Sequence, residues 1–310
     1  MHKDELFNPL NNTSLVALNN EFSDLIKLYE KNKLPRTILL SGNKGIGKFT
    51  LANHLVNYVY SKGTKDKYDV ENNKINPNSA SFKSINAGTF QNLVILNSST
   101  KIENIRDLKT LLSKTSINEG PRFVLIDDVE LFNLNSMNAL LKILEEPSGM
   151  NFFILIDNKA NKLLETISSR CLKINIYLNN VKLSKIINYI KEFYKQDLII
   201  DNKNYFLSPG NLIRFNKICL DSNILDNLNV LSKCKKLLFL FKTNKDINNI
   251  KLLNYFIETY FYDLCKNDQI NIEIYNNAKN KVLYSIDDFV KYNLNINSTL
   301  NTLETIFSND

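Results

Sequence analysis

A glycine-rich segment with a terminal lysine is the part of the sequence best suited to binding a phosphate. Its seven residues are, in order, Gly42, Asn43, Lys44, Gly45, Ile46, Gly47 and Lys48. Glycines let backbone N–H groups wrap around a phosphate, the start of the next helix adds free N–H groups, and Lys48 adds a positive charge. Because a strand pattern precedes the segment and a helix pattern follows it, we interpret it as a P-loop and not as a plain glycine turn.

The residue after Lys48 departs from the P-loop pattern. That position normally holds a Ser or Thr whose hydroxyl ligates Mg²⁺, but here it holds Phe49, with Thr50 one step later. A phenyl ring cannot coordinate a hard cation, and Thr50 lies about 100° further around the helix. Gly42–Thr50 therefore forms a degenerate site at which ATP can bind only through the backbone and Lys48, and we expect poor Mg²⁺ ligation and poor hydrolysis.

Two acids end the apolar run that begins at Arg122. Asp127 and Asp128 fit the second NTPase motif, in which the first acid holds Mg²⁺. The alternative is that these acids merely begin a loop. Because the acid pair follows the phosphate loop in the order expected of the two NTPase motifs, this alternative is weakened.

Two further strings are distinctive in sequence but indicate no chemistry by themselves. The first, NALLKILEEP, extends from Asn138 to Pro147 and predicts an amphipathic helix that ends at the proline. The second is Ser169-Arg170-Cys171, just before the last strand candidate, where a surface arginine is the default interpretation.

Five short apolar runs alternate with helical patterns in the first half of the chain. Most are continuous, as expected of parallel strands covered on both faces. The strand candidates are Thr37–Ser41, Leu93–Leu96, Arg122–Asp127, Phe152–Ile156 and Leu172–Ile176. The helical patterns between them are Lys48–Tyr60, Ile102–Leu112, Ser136–Glu145 and Asn161–Ser168. Repeated βα units predict an α/β fold with a doubly wound parallel sheet.

The pattern changes after the fifth strand candidate. We divide the chain into an α/β core over 1–177, a small helical domain over 178–221 and an all-helical domain over 222–310. A helix is predicted over Val181–Tyr194, and another begins at Ser208-Pro209, with Ser as N-cap and Pro in the first turn. The polar stretch Ser61–Asn92 has weak periodicity, and we expect it to be partly a mobile loop.

Composition excludes several classes of protein. The 310 residues are 44% hydrophobic and 23% charged, which is typical of a globular protein. No apolar run approaches the roughly 20 residues of a membrane helix, and the polar start does not resemble a signal peptide, so we expect a cytoplasmic protein with no membrane partner. The four cysteines are widely spaced and form no CxxC pair, which argues against zinc and a disulfide framework.

Together the two nucleotide-site motifs, the NALLKILEEP string and the Ser-Arg-Cys triplet resemble, in order and spacing, the clamp-loader AAA+ proteins of bacteria. The resemblance covers about residues 7–215 and is most specific over 122–171. It implies a P-loop NTPase (AAA+) parallel-sheet core, a small helical lid domain and an all-α collar domain. It also implies a heteropentamer that opens a sliding clamp and loads it on primed DNA.

Departures from the family pattern favour a subunit that hydrolyses ATP poorly or not at all. Asp128 stands where the motor subunits have Glu, one methylene longer. Gly210 takes the place of a lid arginine that senses the γ-phosphate, and Asp157-Asn158 replaces the usual threonines of the polar sensor. The resemblance therefore assigns Asn158, together with the P-loop residues and the Asp127-Asp128 pair, to a degenerate ATP site.

Arg170 is the residue to which the resemblance assigns catalysis. In this family the arginine of the triplet is an arginine finger, which enters a neighbouring subunit's ATP site and stabilises the transferring phosphoryl group. The implied protein is a stator in the DNA polymerase III holoenzyme. Its implied partners are the delta and tau/gamma subunits and, through the complex, the sliding clamp and primed DNA.

Two alternatives remain at this point. The first is an ATP-hydrolysing tau/gamma-type motor of the same complex. The second is an unrelated P-loop kinase or nucleotide-dependent switch, which would leave NALLKILEEP and Ser169-Arg170-Cys171 unexplained. Residues 51–121 contain no cysteine, so the zinc module that many relatives carry between the two nucleotide motifs is not expected, and we predict no metal cluster.

Overall fold

A computed structural model of the chain describes residues 8–113, 120–145, 149–194, 198–200, 207–267 and 272–308. Within these residues, five strands form one sheet in the order β2-β3-β4-β1-β5, and every neighbouring pair is parallel. The strands are β1 (Thr37–Ser41), β2 (Leu93–Leu96), β3 (Arg122–Ile126), β4 (Asn151–Asp157) and β5 (Leu172–Asn175). The predicted parallel α/β core is confirmed.

Helices connect the strands and continue beyond the sheet. The helices up to the end of the α/β region and just beyond it are α1 (Asn19–Glu30), α2 (Lys48–Ser61), α3 (Ala80–Asn86), α4 (Ile102–Ser113), α5 (Leu134–Glu145), α6 (Glu165–Ser168) and α7 (Asn180–Tyr194). The helices that follow in the chain are α8 (Pro209–Asp221), α9 (Val230–Asn244), α10 (Ile247–Lys266), α11 (Ile272–Tyr292) and α12 (Ile296–Ser308).

The central strands β1, β3 and β4 are buried on both faces, which explains why their sequences are continuously apolar. Alternate residues of each strand point to opposite faces. Ile38 and Leu40 therefore join a cluster with residues of α1, α2 and α3, whereas Leu39 joins a second cluster with residues of α4 and α5. The edge strands β2 and β5 are more exposed.

The polar segment Ser61–Asn92 lies mostly outside helices and strands, as expected of a partial loop, but it is packed onto the core. The segment contains α3, whose Phe82 and Ile85 are buried in the first cluster, and Tyr68 and Ile75 are buried there as well. Short antiparallel bridges join Lys74 to Asp69 and to Ser14. The segment is polar on its outer side and contributes only single apolar residues to the core, so its sequence shows no clear period.

Buried His54 holds this segment to α2. Its Nδ1 lies 2.7 Å from the Tyr68 hydroxyl and its Nε2 lies 3.1 Å from the carbonyl oxygen of Asn12. Since a carbonyl can only accept, Nε2 carries the proton and Nδ1 accepts from Tyr68. Burial lowers the pKa of His54 to about 4, so the ring is neutral at physiological pH.

Two smaller expectations also need correction. Helix α6 occupies only Glu165–Ser168, not Asn161–Ser168, because Leu164 is extended and packs, with Leu163, against the second cluster. In the NALLKILEEP string the helix extends to Glu145, and Glu146 and Pro147 lie outside the described residues.

The chain divides into two compact units. The first contains Met1–Asp197 and Asn202–Ile213, and the second contains Leu198–Asp201 and Arg214–Asp310. In the second unit, α9 packs on α10, α10 on α11, α11 on α12 and α12 on α9. In the described part of this unit, all regular elements of secondary structure are helices. The finer division into three domains with boundaries at 177 and 221 stays a prediction. Within the described residues, no helix has the length and apolar character needed to span a membrane.

Candidate functional site

The P-loop lies at the carboxyl edge of the sheet. It leaves the end of β1 and leads directly into α2. Because the strands are parallel, the carboxyl ends of β1, β4 and β3 lie side by side. The backbone N–H of Gly42 donates to the carbonyl of Asp157 at the end of β4, and the Ser41 hydroxyl donates to the Asp157 carboxylate at 2.6 Å. The fold therefore brings the predicted P-loop, acid pair and polar sensor together.

Lys48 points back into its own loop. It is buried, and its Nζ donates to the carbonyl oxygens of Gly42 and Asn43, each at 2.6 Å. Burial lowers the pKa of Lys48 to about 8, although nearby carboxylates, Asp127 first among them, oppose this shift. The ammonium group of Lys48, which in a P-loop contacts a phosphate, is thus hydrogen-bonded to carbonyl groups of the loop itself.

The acid pair is held by side chains around it. Asp128 accepts from Lys44 Nζ at 2.7 and 2.8 Å and from the Asn158 amide at 2.7 Å. Its backbone lies in the left-handed region at φ 50°, where its N–H donates to the Asp127 carboxylate. Burial raises the pKa of Asp127, and the negative charge of Asp128 adds to the effect. Both carboxylate oxygens of Asp128 are therefore occupied within the chain.

Phe49 packs against the hydrophobic core. Its ring is partly buried against the cluster formed by α1, α2 and the sheet. It cannot donate an oxygen ligand to Mg²⁺, and its apolar contacts give the reason for its presence at this position.

Glu130 adds a carboxylate that the sequence motifs did not reveal. It lies in the 3₁₀ turn Val129–Leu131, is 4% exposed, and accepts from the backbone N–H of Ala160 through Oε1. Its Oε2 is buried without a partner among the described residues. Together with Asp127, Asp128 and Asp157 it surrounds Lys48 with negative charge, which opposes the approach of a polyphosphate.

The first turn of α8 touches the P-loop directly. The backbone N–H of Gly210 donates to the carbonyl of Gly45 at 2.8 Å. A Cβ at position 210 would lie 2.9 Å from Gly45 Cα and 3.1 Å from Gly45 O. At Gly45, φ is +82°, and a Cβ there would meet Ser208 Oγ at 2.5 Å. The position at which the resemblance predicts a lid arginine in other members of the family thus faces the Gly45 backbone, and a side chain there would require this packing to shift.

Replacing Gly210 by alanine is expected to destabilise the chain by about 1–3 kcal/mol, because the new methyl group overpacks a backbone contact. Inside a helix, alanine normally stabilises by up to about 1 kcal/mol relative to glycine, so the expected sign is opposite to the helix preference. Urea unfolding of Gly210→Ala, with Asn211→Ala in the same turn as control, measures the effect. A stabilised Gly210→Ala variant would contradict the close backbone contact.

Arg170 lies at the other edge of the sheet. It precedes β5, and its carbonyl accepts a hydrogen bond from the hydroxyl of Thr37, the first residue of β1. The P-loop begins after the last residue of β1, and four residue steps of a strand measure about 13 Å. The arginine and the P-loop of the same chain are therefore on opposite edges, and the fold does not bring Arg170 to the other predicted site residues.

Two contacts fix the guanidinium of Arg170. Its Nη1 donates to the carbonyl of Thr166 at 2.7 Å, and its Nη2 donates to Oε1 of Glu145 at 2.7 Å. Glu145 is the last residue of α5, the helix of the NALLKILEEP string. The two strings that were uninformative separately thus meet in one ion pair, which only the folded position of the end of α5 beside Arg170 could have revealed.

Metal-binding geometry is not found in the part of the chain that the structure describes. No group of three or more His, Cys, Asp or Glu side chains there is arranged to hold a metal ion. Burial raises the pKa of the Cys171 thiol to about 11, so this cysteine of the Ser-Arg-Cys triplet is protonated and unreactive at neutral pH.

Comparison with known proteins gives a consistent result. A family model described as "DNA polymerase III, delta subunit" matches residues 18–180. A DNA polymerase III subunit delta' (delta-prime) of Buchnera aphidicola from Schizaphis graminum is 28% identical over 77% of this chain and 83% of its own length. The delta' subunit of Pseudomonas aeruginosa is 41% identical, over 24% of this chain and 22% of its own length.

Tau/gamma and gamma subunits of DNA polymerase III also match in sequence, over less than half of their own length. The tau/gamma subunit of Haemophilus influenzae is 31% identical over 51% of this chain, which corresponds to 23% of that subunit. Among solved structures, a gamma subunit-related protein of Thermotoga maritima covers 92% of this chain and 98% of its own, with 17% identity and a TM-score of 0.49.

Proposed function

Since the chain belongs to the family of DNA polymerase III delta subunits, we propose that it is a delta-prime-type clamp-loader subunit. It assembles with delta and tau/gamma and helps to load the sliding clamp on primed DNA in the cytoplasm. In this role it hydrolyses little or no ATP and supplies Arg170 as an arginine finger to the ATP site of a neighbouring subunit.

The position of Arg170 is the observation that carries this proposal. It lies at the amino edge of the sheet, whereas its own P-loop lies at the carboxyl edge. An arginine finger must contact the transferring phosphoryl group directly. Because Arg170 is a strand length from its own loop, the ATP that it serves belongs to another chain.

The P-loop of this chain does not fit a magnesium–nucleotide. Phe49 offers no ligand to the metal, and the Asp128 carboxylate is engaged by Lys44 and Asn158. Lys48 is bonded to loop carbonyls, and Gly210 lies where the motors carry a sensing arginine. These features favour a stator over the tau/gamma-type motor, and the match to a delta' relative along 83% of its length supports the same choice.

The second unit is suited to assembly. Four helices of 13 to 21 residues pack as a bundle around residues such as Leu252, Phe261 and Phe289. We assign it as the collar that joins this chain to the other subunits.

Reconstitution with the delta and tau/gamma subunits of the same organism tests the proposal. We expect the chain to elute in one complex with both partners in size-exclusion chromatography, and the complex to hydrolyse ATP faster when clamp and primed DNA are added. A mixture without this chain is the control and should show neither the full complex nor the full stimulation. Failure to join the complex would reject the proposed role.

A further inference from the structure

We propose that Glu145 is a positioning residue for Arg170: its carboxylate holds the guanidinium in the orientation from which it enters the neighbouring ATP site. This inference rests on the proposed function, in which Arg170 is an arginine finger. It adds a residue at the end of α5 to those that act on the neighbouring ATP site, and it gives the last turn of the NALLKILEEP helix a chemical role.

The geometry supports a fixed arginine. Nη1 is bound to the carbonyl of Thr166, one helical turn before Arg170, and Nη2 is bound to Glu145 from a different helix. These two hydrogen bonds use one N–H of each terminal nitrogen. A guanidinium has five N–H donors, so three are not used in these two hydrogen bonds to the described residues and can meet phosphoryl oxygens.

The position of Glu145 in its helix is unfavourable without such a partner. A carboxylate in the last turn of a helix faces the negative end of the helix dipole, which destabilises the helix. Arg170 places a positive charge beside it. The sequence therefore keeps an acid where helix stability alone would prefer a neutral or basic residue.

Stability does not account for the pair either. The side chains of Arg170 and Glu145 are 36% and 48% exposed, and exposed ion pairs contribute little to folding because water and salt screen them. An exposed pair can still restrict the rotamers of a long side chain. Since an arginine has many rotamers, restricting them before the neighbour arrives lowers the entropy lost when the finger meets the phosphoryl group.

The test uses a loader assembled with tau/gamma subunits whose own Ser-Arg-Cys arginine is replaced by alanine, so that Arg170 is the only finger present. We expect Glu145→Ala to lower kcat for ATP about threefold to fivefold, with KM and the amount of assembled complex unchanged. Glu145→Gln keeps a neutral acceptor and should recover part of the loss. Glu165→Ala is the matched control, because Glu165 is an exposed acid of α6 that pairs with Lys162 and not with Arg170.

A double-mutant cycle separates this inference from the proposed function. In the Arg170→Ala background, Glu145→Ala should have no further effect on kcat, because there is no guanidinium left to position. Equal losses in both backgrounds, or no loss in either, would overturn the role of Glu145. If Arg170→Ala itself leaves kcat unchanged, the finger assignment fails first, and the inference about Glu145 fails with it.

Discussion

Replacing Arg170 by alanine is expected to slow ATP hydrolysis at the site it serves by about 10³-fold or more, while the complex still assembles. A finger guanidinium stabilises charge on the transferring phosphoryl group, and its removal typically costs about 10³–10⁵ in rate. Single-turnover hydrolysis by the reconstituted loader measures the effect. The fraction of bound ATP that is hydrolysed slowly then equals the fraction of sites that have lost their finger.

Arg214→Ala is the control for this experiment. It removes a guanidinium from α8 that is bound to Asn248 within the second unit, so a general loss of positive charge would appear in both variants. We expect Arg214→Ala to hydrolyse ATP at the unmodified rate. Equal activity of the Arg170→Ala and unmodified loaders in single turnover would reject the finger.

The purified chain alone is expected to turn over ATP at less than about 10⁻³ per second, the range of a P-loop NTPase that lacks its arginine finger. Phe49 removes the metal-binding hydroxyl, and Lys44 and Asn158 engage Asp128, the residue that stands where motor subunits have Glu. Phosphate release by the unmodified chain and by Lys48→Ala, measured side by side, checks this expectation.

ATPase activity of the isolated chain contradicts the stator role only if that activity depends on Lys48. Turnover that persists unchanged in Lys48→Ala comes from a contaminating ATPase. Turnover that is fast in the unmodified chain and lost in Lys48→Ala would instead identify the chain as a motor subunit and contradict the proposed function.

The strands and the order of the site motifs could be predicted from the sequence because each depends on local patterns. The central strands are continuous apolar runs, since a parallel strand covered on both faces has no polar side. The P-loop and the Asp127-Asp128 pair lie at strand ends, and parallel strands bring those ends to one edge of the sheet. Local sequence and the parallel topology together were sufficient to predict the strands and the edge of the sheet at which these motifs meet.

Contacts between distant segments could not be predicted in the same way. The pair of Glu145 with Arg170 joins residues 25 positions apart, and neither string alone indicates it. The contact of Gly210 with Gly45 depends on backbone approach, which leaves no periodic pattern in sequence. The packing of the segment Ser61–Asn92 onto the core could not be predicted either, because its buried residues are isolated among polar ones.

The most direct test of the stator role compares two variants in the fully reconstituted loader, Lys48→Ala and Arg170→Ala, by steady-state ATPase with clamp and primed DNA present. Lys48 belongs to this chain's own P-loop, and Arg170 is assigned to a neighbour's site. We predict that the Lys48→Ala loader hydrolyses ATP at the unmodified rate and that the Arg170→Ala loader loses the activity of the site it serves. The reverse pattern, loss with Lys48→Ala and full activity with Arg170→Ala, would contradict it.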